Sequence, residues 1–503
     1  MNLDSLAGMA GQSVGIQELA ELNKALRSAG NSLAKATVGT PGDVTGFGGT
    51  GDFAPLIPQS IQSTLDSATY TEKAISFWKM LQKVPVASTL HESVVVSEYG
   101  GMALDPFISE GQVGPTSDGT YERKVVNIKF LAEQREISDV ATMVGIVGYN
   151  GVSRQGLAQQ TIDGTKALMG KLERSLFTAD ADLNDTHFDG LYKQIGDSSF
   201  NDGGCAITST NNLTDKRGAS VTVQDLVEKM YEVHAAPNFG FVNKILVEPR
   251  VYAGLVNLAT AFGRFDLPKA GRGELIFGTE GLKIAGPGGL VDIESCPLML
   301  PPMNVPTHSG SIGGTTETPA PDALVGSPGA LPVGTIVATP AGGLGWTASE
   351  LEDVDYRVVG VGDTGVTEAC ATVTVAMSGG TAGQSVQLSI NQAGLTNRST
   401  YFRVYRGPAG GELKYMWSFP ANALGGANVT HIIDDNRHLP NTAPVYLLQA
   451  TPDVMYWAQL LDFLRRPLAQ VKTTVPFLLM LFGSLHVKIP TKAWIIDNCS
   501  LSV

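Results

Sequence analysis

Apolar positions recur along this chain with three different spacings, and the changes of spacing mark its parts. Ile16, Leu19, Leu22 and Leu26 step by three and four, which predicts a short amphipathic helix. Val38 to Pro58 then carries nine Gly or Pro in 21 residues, so residues 1–60 read as an extended N-terminal arm. From Val84 to Val96, and again in YERKVVNIKFL, the pattern predicts strands; Val126, Ile128 and Phe130 alternate with Asn127 and Lys129. Between these runs, Ser97 to Thr120 has five Gly, two Pro and no regular pattern. Loops of that length are uncommon inside a compact domain, so this one reads as a projecting hairpin covered by a neighbour.

Further on, Ile162, Met169, Leu172 and Leu176 predict one long helix over 150–179. Residues 220–300 read as an α/β unit. Thr222 with Asp225 suggests a capping box, and Leu226, Met230 and Val233 form the stripe of the helix that follows. FVNKILVE predicts a strand, Pro249 opens a second helix, and hairpin-like runs reach Leu300. Residues 301–345 hold 17 Gly or Pro in 45 and read as a linker. YRVVGV, ATVTVAM, SVQLSI, YFRVYRG, LKYMWSF and THIIDD then predict an all-β sandwich within 346–449. After it, Thr451-Pro452 opens a predicted helix carrying Val454, Trp457, Leu461 and Leu464 and ending at Arg465-Arg466. TVPFLLMLF, SLHVKI and AWIIDN close the chain as three predicted strands.

The class expected is therefore α+β with an all-β insertion. The divisions are an arm (1–60), strands with an extended loop (61–140, tip 97–120), a spine helix and peripheral part (141–219), an α/β part (220–318), linker plus sandwich (319–449) and a return to the body (450–503).

Composition sharpens this in two ways. Charged residues are 17% of the 503, below the ~25% of an ordinary soluble domain, a sign of surface buried in subunit contacts. The net charge of −13 argues against a protein that grips nucleic acid through Lys and Arg, but not against one that encloses it. The longest strongly apolar run, Val475 to Phe482, is far short of the ~20 residues that span a bilayer as a helix. MNLDSLAGMAGQSVGIQELAEL has neither the basic region nor the apolar core of a secretory signal. Cys205, Cys296, Cys370 and Cys499 are scattered, which indicates neither a zinc site nor a disulfide framework.

Motifs with chemical meaning fail on context. Gly46–Gly51 and Gly360–Gly365 match GxGxxG but lack the strand-then-helix setting that presents N–H groups to a pyrophosphate, so both read as turns. Gly11–Gly15 matches GxSxG inside the arm, away from any sheet. Asp180, Asp182 and Asn184 match a calcium loop, but Asp185 and Leu191 stand where Gly and Glu are needed, so an acidic turn is expected. Asp434, Asp435 and Asn436, near His431 and His438, read as a turn rather than a metal site. No constellation supports catalysis; neither enzyme activity nor a cofactor is expected.

What stands out instead is charge placement. The loop 97–120 carries Glu98, Asp105, Glu110 and Asp118 with no basic residue. GRFDLPKAGRGE carries Arg264, Lys269 and Arg272, which could meet phosphate, a neighbour's acidic loop, or solvent. Arg465 and Arg466 are a second basic pair. These nine residues are the candidate inter-subunit contacts.

The order of parts resembles the major capsid proteins of tailed bacteriophages, the Hong Kong 97-type fold. FDGLYKQI after the spine helix, VNKILVEPRVYAGLVNL, and PFLLMLFGSLHVKIPTKAWIIDN carry the likeness, over about 60–318 and 450–503. YFRVYRG and HIIDDN in the insertion resemble a fibronectin type III or immunoglobulin-like domain. The resemblance implies a virion shell subunit assembled in the bacterial cytoplasm into hexamers and pentamers around double-stranded DNA, alongside portal, scaffold or decoration proteins. Arm and loop would clasp neighbours and the insertion would project outward. Some members of the family crosslink through a loop Lys; with no Lys between Ser97 and Thr120, no such bond is expected through this tip. The alternatives are an encapsulin-like compartment or a carbohydrate-binding, adhesive sandwich.

Overall fold

The computed structural model describes residues 72–501 apart from 101–106, 115, 144–145, 149–150, 154–155, 197–211, 263–281, 307–323, 325–331, 340–343, 363–364, 393–394, 396, 422–428 and 471. The arm with both its motifs, Cys205, Asp105, Arg264, Lys269 and Arg272 lie outside the described residues.

In chain order the elements are α1 (Phe77–Met80), β1 (Lys83–Pro85), β2 (Leu90–Glu98), β3 (Thr120–Asn127), β4 (Lys129–Ser138), α2 (Asp139–Met143), β5 (Ile146–Gly148), β6 (Gly151–Ser153), α3 (Gly156–Thr178), β7 (Leu213–Asp215), α4 (Val223–His234), β8 (Lys244–Val247), α5 (Pro249–Phe262), β9 (Leu282–Gly286) and β10 (Gly289–Ser295). There follow β11 (Val333–Ala338), β12 (Val354–Gly362), β13 (Gly365–Val366), β14 (Val373–Val375), β15 (Gln384–Asn391), β16 (Tyr401–Pro408), β17 (Lys414–Pro420), β18 (Val429–Asp434), β19 (Thr442–Leu448), β20 (Met455–Pro467), β21 (Thr474–Val487) and β22 (Trp494–Ser500). The protein is mixed α+β.

Two sheets share the largest core. One is four-stranded, β1-β20-β21-β4; the other is six-stranded, β7-β22-β19-β8-β10-β9. The spine helix α3, about 35 Å long at 1.5 Å per residue, buries Leu168, Leu172, Leu176 and Phe177 in the core that Phe477, Leu479 and Leu481 of β21 and Tyr446 and Leu448 of β19 also enter. Glu173, on the same helix, is fully buried. Its carboxylate accepts from the backbone N–H groups of Ser76 (3.1 Å), Phe77 (2.7 Å) and Trp78 (2.9 Å), tying the start of the described chain to the spine. Burial pushes this carboxyl above its ordinary value, against the pull of the three donors. The other side of the six-stranded sheet is covered by α4 and α5 through Leu226, Met230, Val233, Val251 and Leu255. The expected capping box is present: Thr222 Oγ1 accepts from Asp225 N at 3.2 Å while Thr222 N donates to Asp225 Oδ2 at 2.9 Å.

Residues 333–434 form a three-stranded sheet, β11-β15-β18, and a five-stranded one, β13-β12-β16-β17 with β14 also on β12. They enclose a core of their own with Tyr356, Val358, Leu388, Phe402 and Ile432. All six strands expected here form. The stretch expected to be only linker contributes an edge strand, β11, paired with β15. Upstream, Met303 accepts from Tyr415 N at 2.8 Å along β17. Gly and Pro marked an irregular path, but the apolar run VGTIVA within it had a sheet edge to fill.

The structure overturns three other expectations. Met455–Pro467 is a strand, not a helix. Met455, Tyr456, Trp457 and Ala458 are all buried, so both faces of the strand are covered. Register shifts between Gln459 and Leu461 and between Leu461 and Leu464 insert extra residues. These bulges break the period of two and produce by accident the three-and-four spacing of a helix. Next, TVPFLLMLF and SLHVKI are one strand without a turn at Gly483. There the Trp457 indole crosses the strand, and any Cβ at 483 would overlap it. Finally, Thr442–Leu448, read with the sandwich, is a central strand of the six-stranded sheet.

Candidate inter-subunit interface

β2 and β3 pair with each other and form a two-stranded ribbon of their own. The ribbon faces two ways. His91, Ser93, Val95, Lys124 and Val126 turn toward the four-stranded sheet; Leu90, Glu92, Val94, Val96, Tyr121 and Arg123 turn outward. The outward set is largely apolar and exposed, Val94 by 61% and Tyr121 by 69%. Beyond the strands the loop goes further: Tyr99, Phe107 and Val113 are 85%, 87% and 93% exposed. Apolar side chains this open, on one ribbon and its loop, make a candidate docking surface.

The acidic candidates sit on the same projection. Glu98 lies opposite Thr120 after a register shift at the end of the ribbon, with Asp118 near it across the loop, and Glu110 at the tip; all three are exposed. Among the described residues none of the three forms an ion pair. Gly100, at φ 81°, lets the two sides of the loop run close together: a Cβ there would overlap the Asp118 carbonyl. Below, Glu92 and Arg123 pair at 3.1 Å on the outward face.

Of the basic candidates, Arg465 and Arg466 lie on the outer end of β20, both exposed. The Arg465 guanidinium stands 5.2 Å from the Phe477 ring, a contact worth ~0.5–1 kcal/mol at an exposed site. Within one chain, among the described residues, these acids and arginines form no ion pair with each other. Sequence reasoning chose the charges and missed the apolar residues around them. A signal was there: in LHESVVVSEY both parities carry aliphatics, which a strand covered on one side does not need.

The remaining motifs resolve into structure. Gly360–Gly362 ends strand β12 and Gly365 opens β13, which pairs back on it. Asp180 and Asn184 accept from the backbone of Asp182 (2.8 Å) and Thr186 (3.0 Å), with Lys193 Nζ 2.7 Å from Asp182, an acidic turn closed by a lysine. Asp434 accepts from Tyr356 Oη (2.8 Å) and Arg406 (2.6 Å) and takes the Asn436 N–H at 2.9 Å. The neighbouring histidines turn elsewhere, His431 to Ser389 at 2.9 Å and His438 flat against Trp417 at 4.0 Å. Among the described residues no group of three His, Cys, Asp or Glu is placed to hold a metal.

No family profile matches the chain. A putative major capsid protein of Enterococcus phage phiEF24C is 24% identical over 466 residues, covering 90% of this chain and 92% of its own length. The major capsid protein of Staphylococcus phage K is 23% identical over 462 residues, covering 89% and 92%. Among solved structures, the capsid of a native GTA particle matches with a TM-score of 0.43 and 10% identity over 89% of this chain and 97% of its own. An encapsulin complex from Synechococcus elongatus matches with a TM-score of 0.39 and 10% identity over 90% and 95%. The structural likenesses score below 0.5, and the function is argued from the sequence relatives. These relatives bear out the capsid function read from the sequence: over nine-tenths of its length the chain is similar to phage major capsid proteins.

Proposed function

We propose that this chain builds the icosahedral head shell of a tailed phage, as hexamers and pentamers with the Hong Kong 97-type fold, around double-stranded DNA. The observation that carries the reading is the likeness to phage capsid proteins along nine-tenths of both chains. The ribbon supplies the physical means. Its exposed apolar face and acidic loop are incomplete in one subunit and complementary to a basic, apolar surface on another. Arg465 and Arg466 are the described candidates for that surface, with Arg264, Lys269 and Arg272 as the others. Obligate contacts of this kind bury ~2,000–5,000 Å². The net charge of −13 lets packaged DNA lie against the wall without adhering. Residues 333–434 are an immunoglobulin- or fibronectin-like domain inserted on the outer side, and the N-terminal arm is a second clasp. Portal and scaffold proteins would complete the particle, which assembles in the host cytoplasm. Electron microscopy of the purified chain tests this: closed shells are expected, and a dispersed monomer at high concentration overturns it.

A further inference from the structure

The ribbon stands on a layer unlike the rest of the interior. Beneath it the four-stranded sheet offers a small apolar cluster whose buried members, among the described residues, are Ile128, Tyr456 and Ala458. The ribbon is fastened across it by polar contacts. His91 Nε2 meets Tyr456 Oη at 2.7 Å, Ser93 Oγ meets His486 Nε2 at 2.8 Å, and Lys124 Nζ donates to the Val487 carbonyl at 2.6 Å. His486 is fully buried, and its Nδ1 has no hydrogen-bond partner among the described residues. The rings of His91 and Tyr456 stand edge-on to it, at 5.9 and 5.2 Å.

We propose that the β2–β3 ribbon is a flap, docked on the four-stranded sheet at neutral pH and released by acid through protonation of His486. The geometry carries this. A proton on His486 would sit in a closed layer, and each charged group acting on it opposes that proton. From β3 comes Lys124, from β2 His91, and from the end of β21 Lys488; Tyr456 of β20 is neutral. Glu122, also on β3, is the carboxylate of that ribbon face, paired in register with Val95, and it is not among the groups acting on His486. Burial, then these cations, hold the imidazole down at about 3. Burial, then Lys488, also lower His91.

The sign follows. An imidazole exposed by release titrates near 6.5, and the docked one stays neutral far below that. Docking is therefore unaffected above pH 6.5, and weakens by about tenfold for each pH unit below it, until the docked value is reached. This does not rest on the shell reading, because the ribbon and its footing belong to one chain.

Hydrogen exchange on the dispersed full-length chain tests it, read as protection factors so that intrinsic exchange cancels. Between pH 6.5 and 4.5 protection of residues 90–96 and 121–127 is expected to fall by about fiftyfold, while β8 and β19 keep theirs. His486→Gln, neutral at every pH, should abolish the fall; His91→Gln should leave most of it. Ribbon protection indifferent to pH, a fall that persists in His486→Gln, or equal loss in β8 and β19 would each overturn the proposal. Should His486→Gln not fold, imidazole NMR of the unmodified chain decides instead. A His486 resonance titrating near 6.5 without ribbon opening overturns it, and one silent until the ribbon opens supports it.

Discussion

The ribbon β2–β3 and the pair β19–β22 are both antiparallel and rich in aliphatic residues, yet they end in opposite surroundings. In β19 every residue after Thr442 is buried, and in β22 every residue before Ser500. In β2 only Val95 is, while Leu90, Val94 and Val96 face outward. The pair has already drawn its hydrophobic stabilisation, ~25 cal/mol per Å², from α3 on one side and from α4 and α5 on the other. The ribbon has not, and a two-stranded ribbon has little stability of its own. One region is completed by its own chain; the other leaves its apolar side chains open among the described residues.

The strongest test is to take the unfinished region away. Deleting residues 97–120 is expected to abolish closed shells in electron micrographs while leaving a soluble subunit with cooperative unfolding. Intact shells from the deletion would break the comparison. Point changes then grade it. Leu447→Ala, in the fully buried β19, should lower the unfolding free energy by ~2–5 kcal/mol in a denaturant titration. Val94→Ser, on the outward ribbon face, should move it by less than ~0.5 kcal/mol and yet reduce shell yield. A Val94 variant as destabilised as the Leu447 one would show that the ribbon is covered within its own chain.

How far the sequence disclosed this depended on how regular each element is. Leu172 and Leu176 of the α3 stripe, the Thr222–Asp225 box and the strands of 346–434 were legible, because periodicity and caps act over a few residues and owe nothing to distant partners; Ile162, read into the same stripe, is exposed, and Gly151–Ser153, expected to open the helix, is a strand. β20 was not, because two bulges disguise its period and its identity comes from β1 and β21 on either side. β19 was misassigned for a related reason: TAPVYLL looks like any short strand, and only its pairing with β8 and β22 separates it from the sandwich. The candidate interface was half legible. The charges Glu98, Glu110 and Asp118 stand out in composition, whereas Tyr99, Phe107 and Val113 look like core residues until their exposure is known.

The smallest effect concerns those charges. Glu98, Glu110 and Asp118 are exposed and have no ion-pair partner among the described residues, so neutralising them as Glu98→Gln, Glu110→Gln and Asp118→Asn should not change the stability of the dispersed chain. In an assembled shell the same carboxylates would face cations of another copy. Ion pairs at the rim of an interface set its rate and its salt dependence more than its strength, and screening reaches ~10 Å at 0.1 M salt. The triple variant should therefore assemble a few-fold more slowly at low ionic strength and match the unmodified chain at high salt, as followed by light scattering. Arg465→Gln with Arg466→Gln should do the same, and combining the two sets should add little, because each removes the other's partner. If the arginine variants assemble normally while the acidic ones do not, the acids meet a different basic surface, and Arg264, Lys269 and Arg272 become the partners to test.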